Sequence, residues 1–323
     1  MRLQINPCPQ RSAWFDLCWH GLALLPLPAG DAASLYDPLY VQWSNAQLPP
    51  AVRTLPGDAG LLATWLAQAP NGHWLYAIPQ LHTSVQEFSE QASRPFAEVQ
   101  WADPRQQRLA QALISGLPIE LIEVFRAGLW GELRAGYERV RAQHFAQRLA
   151  AQSAELADDL GILAQHFAAA QRVSWQVSHP LGRRGRLLRG EGTPTIAIGI
   201  HDPELQLPRF APVLQGWHEL VLLQVLRARP ALATGDPRAG TPGHALHQQV
   251  ERLALTLGAR LLSVPELLAP QRDWLSWVLR RVAAAQGADP VDWLASGGLL
   301  AGSSAAEVGD LADEVGAALR SAT

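Results

Sequence analysis

Lysine is missing altogether, so all 26 basic side chains of this 323-residue chain are arginine. The absence removes Schiff-base and pyridoxal-phosphate chemistry and the Walker-type phosphate loop, because each needs a primary amine at its centre. Methionine occurs once, as Met1. Together with the abundance of Ala, Arg, Gly, Leu and Pro, this lysine-free pattern reads as the codon bias of a very GC-rich bacterial genome. Cysteine is nearly as scarce: Cys8 and Cys18 close one small loop at most, which fits a reduced protein better than a secreted one. No apolar run approaches the length of a membrane span. Arg, Asp and His residues interrupt the first twenty-odd positions, where a secretory leader needs a continuous apolar stretch. The expected address is the cytoplasm, with no membrane contact.

Charge of either sign is also in short supply. The net charge is −3 and the pI about 6.4, so no global field draws the chain to nucleic acid, and none is expected as a partner. Tyrosine is sparse against 12 tryptophans, which are scattered and form no stacking ladder, so they read as core material. What is present in quantity is hydrophobic side chain, 48% of the total, enough for a full core.

Three regions follow from texture. Residues 1–105 mix short apolar runs with Pro and Gly punctuation and read as a mixed α/β region of short elements, with one helix over 61–68. Residues 106–171 form long Ala, Leu, Gln and Arg-rich stretches with apolar residues every three to four positions, a helical layer. Within 172–323 the period first drops to two, over Val173, Trp175 and Val177 and again over 195–200. This predicts two strands, read as a hairpin. Helices follow over 209–229, between Pro208 and Pro230, and from about His244 onward, with terminal helices after Pro270 and near 307–320.

The segment joining the two strands, Leu181 to Gly192, carries Arg183, Arg184, Arg186 and Arg189 interleaved with glycine. Flexible glycines let guanidinium forks spread around a phosphate or carboxylate, so these four are the candidate binding residues. As hairpin-loop arginines they are expected to be exposed and to matter little for folding. No G-x-S-x-G elbow, dinucleotide turn or Cys-x-x-Cys pair occurs.

His218 and Glu219 stand midway along the 209–229 helix, directly after a strand. Residues four apart on a helix share a face, so an H-E-x-x-H sequence grips one zinc with two imidazoles while its Glu activates the bound water. Here the position four after His218 is Leu222. The next helix holds His244, His247 and Glu251. The order of strand, His-Glu helix, loop and Glu-bearing helix over about 173–262 resembles the gluzincin branch of the zincin metallopeptidases, with a degenerate motif.

That resemblance implies a zincin-like C-terminal region, metal positions at His218 and Glu251, and Glu219 as the catalytic base where activity survives. The expected fold is α+β, predominantly helical, with a small sheet next to the His-Glu helix. With leucine at 222 the expected protein is a pseudoenzyme. It carries no cofactor and acts through a protein partner as a scaffold, regulatory or accessory subunit of a bacterial system. Two alternatives stay open at this point. One is an active metal-dependent hydrolase in which His247 repairs a zinc site made with His218 and Glu251. The other is a helical interaction module with no zincin ancestry.

Overall fold

The alternation between 173 and 200 does form strands, but they pair differently from a hairpin. In the computed structural model β1 (Ser174–Ser178) and β3 (Thr195–Gly199) lie parallel, with Trp175 opposite Ile196 and Val177 opposite Ile198. A third strand, β2 (Arg186–Leu188), arises inside the Gly/Arg-rich connection and pairs antiparallel with β3, giving the order β1-β3-β2. The parallel pair needs a crossover, and β2 is part of it.

The structure describes residues 12–24, 38–47, 78–82, 84–101, 103–116, 118–130, 132–140, 146–178, 180–181, 185–188, 193–199, 209–233, 242–284 and 305–321. The helix expected over 61–68 lies outside them, as do Arg183, Arg184 and Arg189. Before the sheet come α1 (Ala13–Ala23), α2 (Pro38–Gln47), α3 (Val85–Ala92), α4 (Pro104–Gly116), α5 (Ile119–Trp130), α6 (Glu132–Val140) and α7 (Ala146–His166). After it come α8 (Ala211–Ala228), α9 (Pro242–Leu261), α10 (Pro265–Ala284) and α11 (Ala305–Arg320). The chain is therefore an α+β protein, mostly helical around one small three-stranded sheet.

Local signals explain several boundaries. Ser84 caps α3 by accepting the Glu87 backbone N–H at 3.0 Å, in a Ser-x-x-Glu sequence suited to that role. α8 starts after Phe210, held at φ 73, with Pro212 in its first turn, where a missing N–H costs nothing. α10 begins five residues before Pro270, earlier than the expected terminal helix.

The period of two sends the sheet's side chains into two separate cores. Trp175, Val177, Ile196 and Ile198 join α7 through Leu160 and Leu163, α8 through Val213, Trp217 and Val221, and α9 through Ala254 and Leu257. On the other face Ala197 and Leu188, with Leu181, join Trp14, Trp19, Phe88, Leu113 and Phe125 of the N-terminal helices. The expectation that tryptophans are core material holds for Trp14, Trp19, Trp175 and Trp217, each nearly fully buried. α8 is apolar on nearly every side, because it packs at once against the sheet, α7, α9, α10 and α11. Gly216 allows this closeness: a Cβ there would stand 2.5 Å from the Trp175 ring.

Candidate functional site

The buried stretch of α8 is broken by four polar residues, Gln215, His218, Glu219 and Gln224, the first three of them clustered near its middle. A buried polar group without a partner costs of order 1–3 kcal/mol, so each side chain's partner matters. Gln215 accepts the Gly199 N–H at 3.1 Å through Oε1, which finishes the end of β3. One turn later Glu219 accepts the Leu187 N–H at 2.7 Å through Oε2. This bond satisfies a backbone donor of the edge strand β2, and it ties the helix to the sheet.

Gly185 makes that contact possible. A Cβ at this position would lie 2.8 Å from the Glu219 Cγ, 3.1 Å from the Gln215 carbonyl oxygen and 3.2 Å from that of Ala197. Gly185, directly before β2, thus sits on the Glu219 side chain. Burial raises the Glu219 carboxyl above the usual carboxylate range. Among the smaller influences, His218, Arg186 and the Leu187 N–H draw it back down, while Glu251 raises it further.

His218 turns the other way, toward α9. Its Nε2 lies 3.3 Å from Oε2 of Glu251, across 33 residues of chain, while its buried Nδ1 has no hydrogen-bond partner among the described residues. The Trp274 ring of α10 stands 6.3 Å from the imidazole. The structure therefore brings together three of the residues singled out in the sequence, His218, Glu219 and Glu251. His247 lies four residues before Glu251 on the same helix, and its side chain is outside the described set.

The donor set can be tested against a zinc ion. Ligands about 2.0–2.1 Å from a tetrahedral zinc stand roughly 3.3 Å from one another, and the His218–Glu251 separation of 3.3 Å matches two such corners. Among the described residues no third corner is present. Leu222, one turn along from His218, is 6% exposed and belongs to the apolar core. Among the described residues no group of three His, Cys, Asp or Glu side chains is placed to hold a metal ion. The described donors do not fit a protein-bound zinc.

The expectation for the arginine segment is corrected at Arg186. This residue lies on β2 and not in an exposed loop, and it is 8% exposed. Its Nη1 donates to the Gly185 carbonyl at 2.8 Å and its Nε has no partner among the described residues. The buried guanidinium lies near the buried Glu219 and holds the Gly185 carbonyl, so Arg186→Ala is expected to destabilise the protein by about 1–3 kcal/mol, the usual cost of leaving a buried polar group without its partner. Urea unfolding checks this. An unchanged midpoint would return Arg186 to the role of a solvated side chain.

Sequence reading missed a second polar cluster in the N-terminal layer. Asp16 on α1 accepts hydrogen bonds from Tyr137 of α6 at 2.6 Å and from Ser178 of β1 at 2.8 Å. One turn on, His20 is fully buried, with Nδ1 2.8 Å from the Tyr40 hydroxyl of α2. The available signal was the spacing of Asp16 and His20, four apart on one apolar helix; their partners are too distant in the chain to show any pattern.

Compared with protein-family models, curated proteins and solved structures, the chain matches none. Function therefore has to be argued from these residues alone. Among the described residues no helix is long and apolar enough to cross a membrane.

Proposed function

We propose that this chain is a zincin-type protein whose His-Glu helix has lost its metal, and that it acts by binding a protein partner as a scaffold, regulatory or accessory subunit. One observation carries the reading: His218 meets Glu251 across two helices while Leu222, at the remaining ligand position, is packed in the core. The order of sheet, His-Glu helix and Glu-bearing helix supports the zincin part. The burial of Glu219 supports the loss of catalysis, since a general base must reach a water and a substrate, and this carboxylate instead holds the Leu187 N–H. A bacterial, cytoplasmic setting with no resident cofactor goes with this reading.

The test is elemental analysis after incubation with zinc and dialysis. The expected result is well below one zinc per chain, because one imidazole and one carboxylate leave a zinc with too few protein ligands. One zinc per chain, lost on His218→Ala or Glu251→Ala, would overturn the proposal.

The spacing of His218 and Glu251 also favours a second reading, a metal-dependent hydrolase in which His247 supplies the missing imidazole and Glu219 the base. Stoichiometric zinc that disappears on His247→Ala would favour it over the first.

A further inference from the structure

We propose that the N-terminal helices form a proton-operated cover over one face of the sheet, released in mild acid while the core around α8 stays folded. The proposal is independent of any zincin ancestry. It rests on the way the two cores divide their polar groups.

The cover is pinned by one carboxylate. Asp16 holds Tyr137 through one oxygen and Ser178 through the other, so a single side chain joins α1, α6 and the end of β1. Beneath it lies the sheet face made by Leu181, Leu188 and Ala197, which pack only into the N-terminal core. Two buried imidazoles belong to the same layer. His20 faces Asp16 of its own helix, Tyr40 of α2 and Tyr137 of α6, whose ring centroid is 5.4 Å away; its Nε2 has no partner. His82 faces Glu87 of α3 and Arg126 of α5, between the rings of Trp14, Phe88 and Trp101 at 4.8, 5.4 and 5.3 Å. Its Nδ1 is 4.0 Å from the Glu87 carboxylate, too far for a hydrogen bond, and is unpartnered.

Burial lowers both imidazoles to about 4, against 6.5 for an ordinary histidine. Asp16 offsets this only in part at His20; at His82 Glu87 offsets it and Arg126 adds to it. A group whose folded value is depressed in this way binds more protons unfolded than folded. The layer's stability is then complete above about pH 6.5 and falls as the pH drops toward 4. Both of these imidazoles lie in the N-terminal layer, on one side of the sheet. Acid therefore strains one layer first, and its release uncovers an apolar sheet face.

Hydrogen exchange of the full chain, read by mass spectrometry from pH 7.5 to 4 and corrected for intrinsic rates, tests the proposal. α1, α3 and α6 are expected to lose protection at a higher pH than α8 and α9. The stability of the layer should depend on pH with a slope of about two protons in the wild type and about one in His20→Gln or His82→Gln. Loss of protection in both layers at the same pH would overturn the proposal, as would variants with the wild-type slope and midpoint. Where a variant does not fold at pH 7.5, the order of loss in the wild-type chain decides.

Discussion

Leu222→His is expected to turn this chain into a zinc-binding protein. The substitution places an imidazole one helical turn from His218, whose Nε2 already stands 3.3 Å from the Glu251 carboxylate, and so completes three ligands around one point. Without metal the variant should be less stable than the wild type by several kcal/mol, because a polar ring replaces a leucine in the apolar core. Zinc should reverse this. A ligand held only by the folded state adds about 4 kcal/mol at a thousand times its dissociation constant. Melting curves with EDTA and with micromolar zinc are the measurement. A destabilised variant with no recovery in zinc would mean that His218 and Glu251 are an ordinary buried pair and that the family resemblance is accidental.

That test exists because the central helix could be read directly. The apolar run between Pro208 and Pro230 has the length and continuity of a buried helix, and His218 and Glu219 stand out within it as polar residues needing partners. Glu251 was reached through the resemblance to the gluzincin order of elements, and not through any local period. β2 was not legible. Three residues have no period, and its strand character comes from pairing with β3, a contact that local composition does not encode. The hairpin expectation failed for the same reason: alternation marks a strand's faces but says nothing of its neighbour's direction. Arg186 was misread because arginine is usually exposed, whereas here the strand beneath it and the Glu219 carboxylate nearby set its burial. The Asp16 cluster draws on residues 121 and 162 positions away, beyond any local signal.

Trp217→Ala is expected to cost about 3–5 kcal/mol, the usual loss for a buried tryptophan. Trp217 is 1% exposed, stacks on Phe167 at 4.5 Å, and donates through Nε1 to the Gly258 carbonyl at 3.0 Å. Gln271 also donates to that carbonyl, so most of the loss comes from the cavity and little from an abandoned acceptor. Gly258 lets the helix backbone approach the ring, since a Cβ there would be 3.2 Å from the indole nitrogen. Trp217→Phe should recover part of the loss by refilling the space. Because Trp217 adjoins His218 and spaces α8 from α9, the alanine variant should also weaken any zinc site built with Leu222→His. Urea melts of the single and double variants check both points; a loss below about 1 kcal/mol would show that the helices close over the gap.

The double grip of Asp16 also fixes an order of events during synthesis. Ser178 is made 162 residues after Asp16, a delay on the order of ten to thirty seconds at ordinary ribosome speed. Until then the first helix lacks one of its anchors, and Leu181, Leu188 and Ala197, which complete its apolar surroundings, come later still. α1, made before every other described helix, is therefore completed only after the sheet has been made. Until the sheet arrives, Trp14, Phe15 and Trp19 have only the N-terminal helices to pack against, and the face that will meet Leu188 and Ala197 stays open to chaperones or to a neighbouring nascent chain.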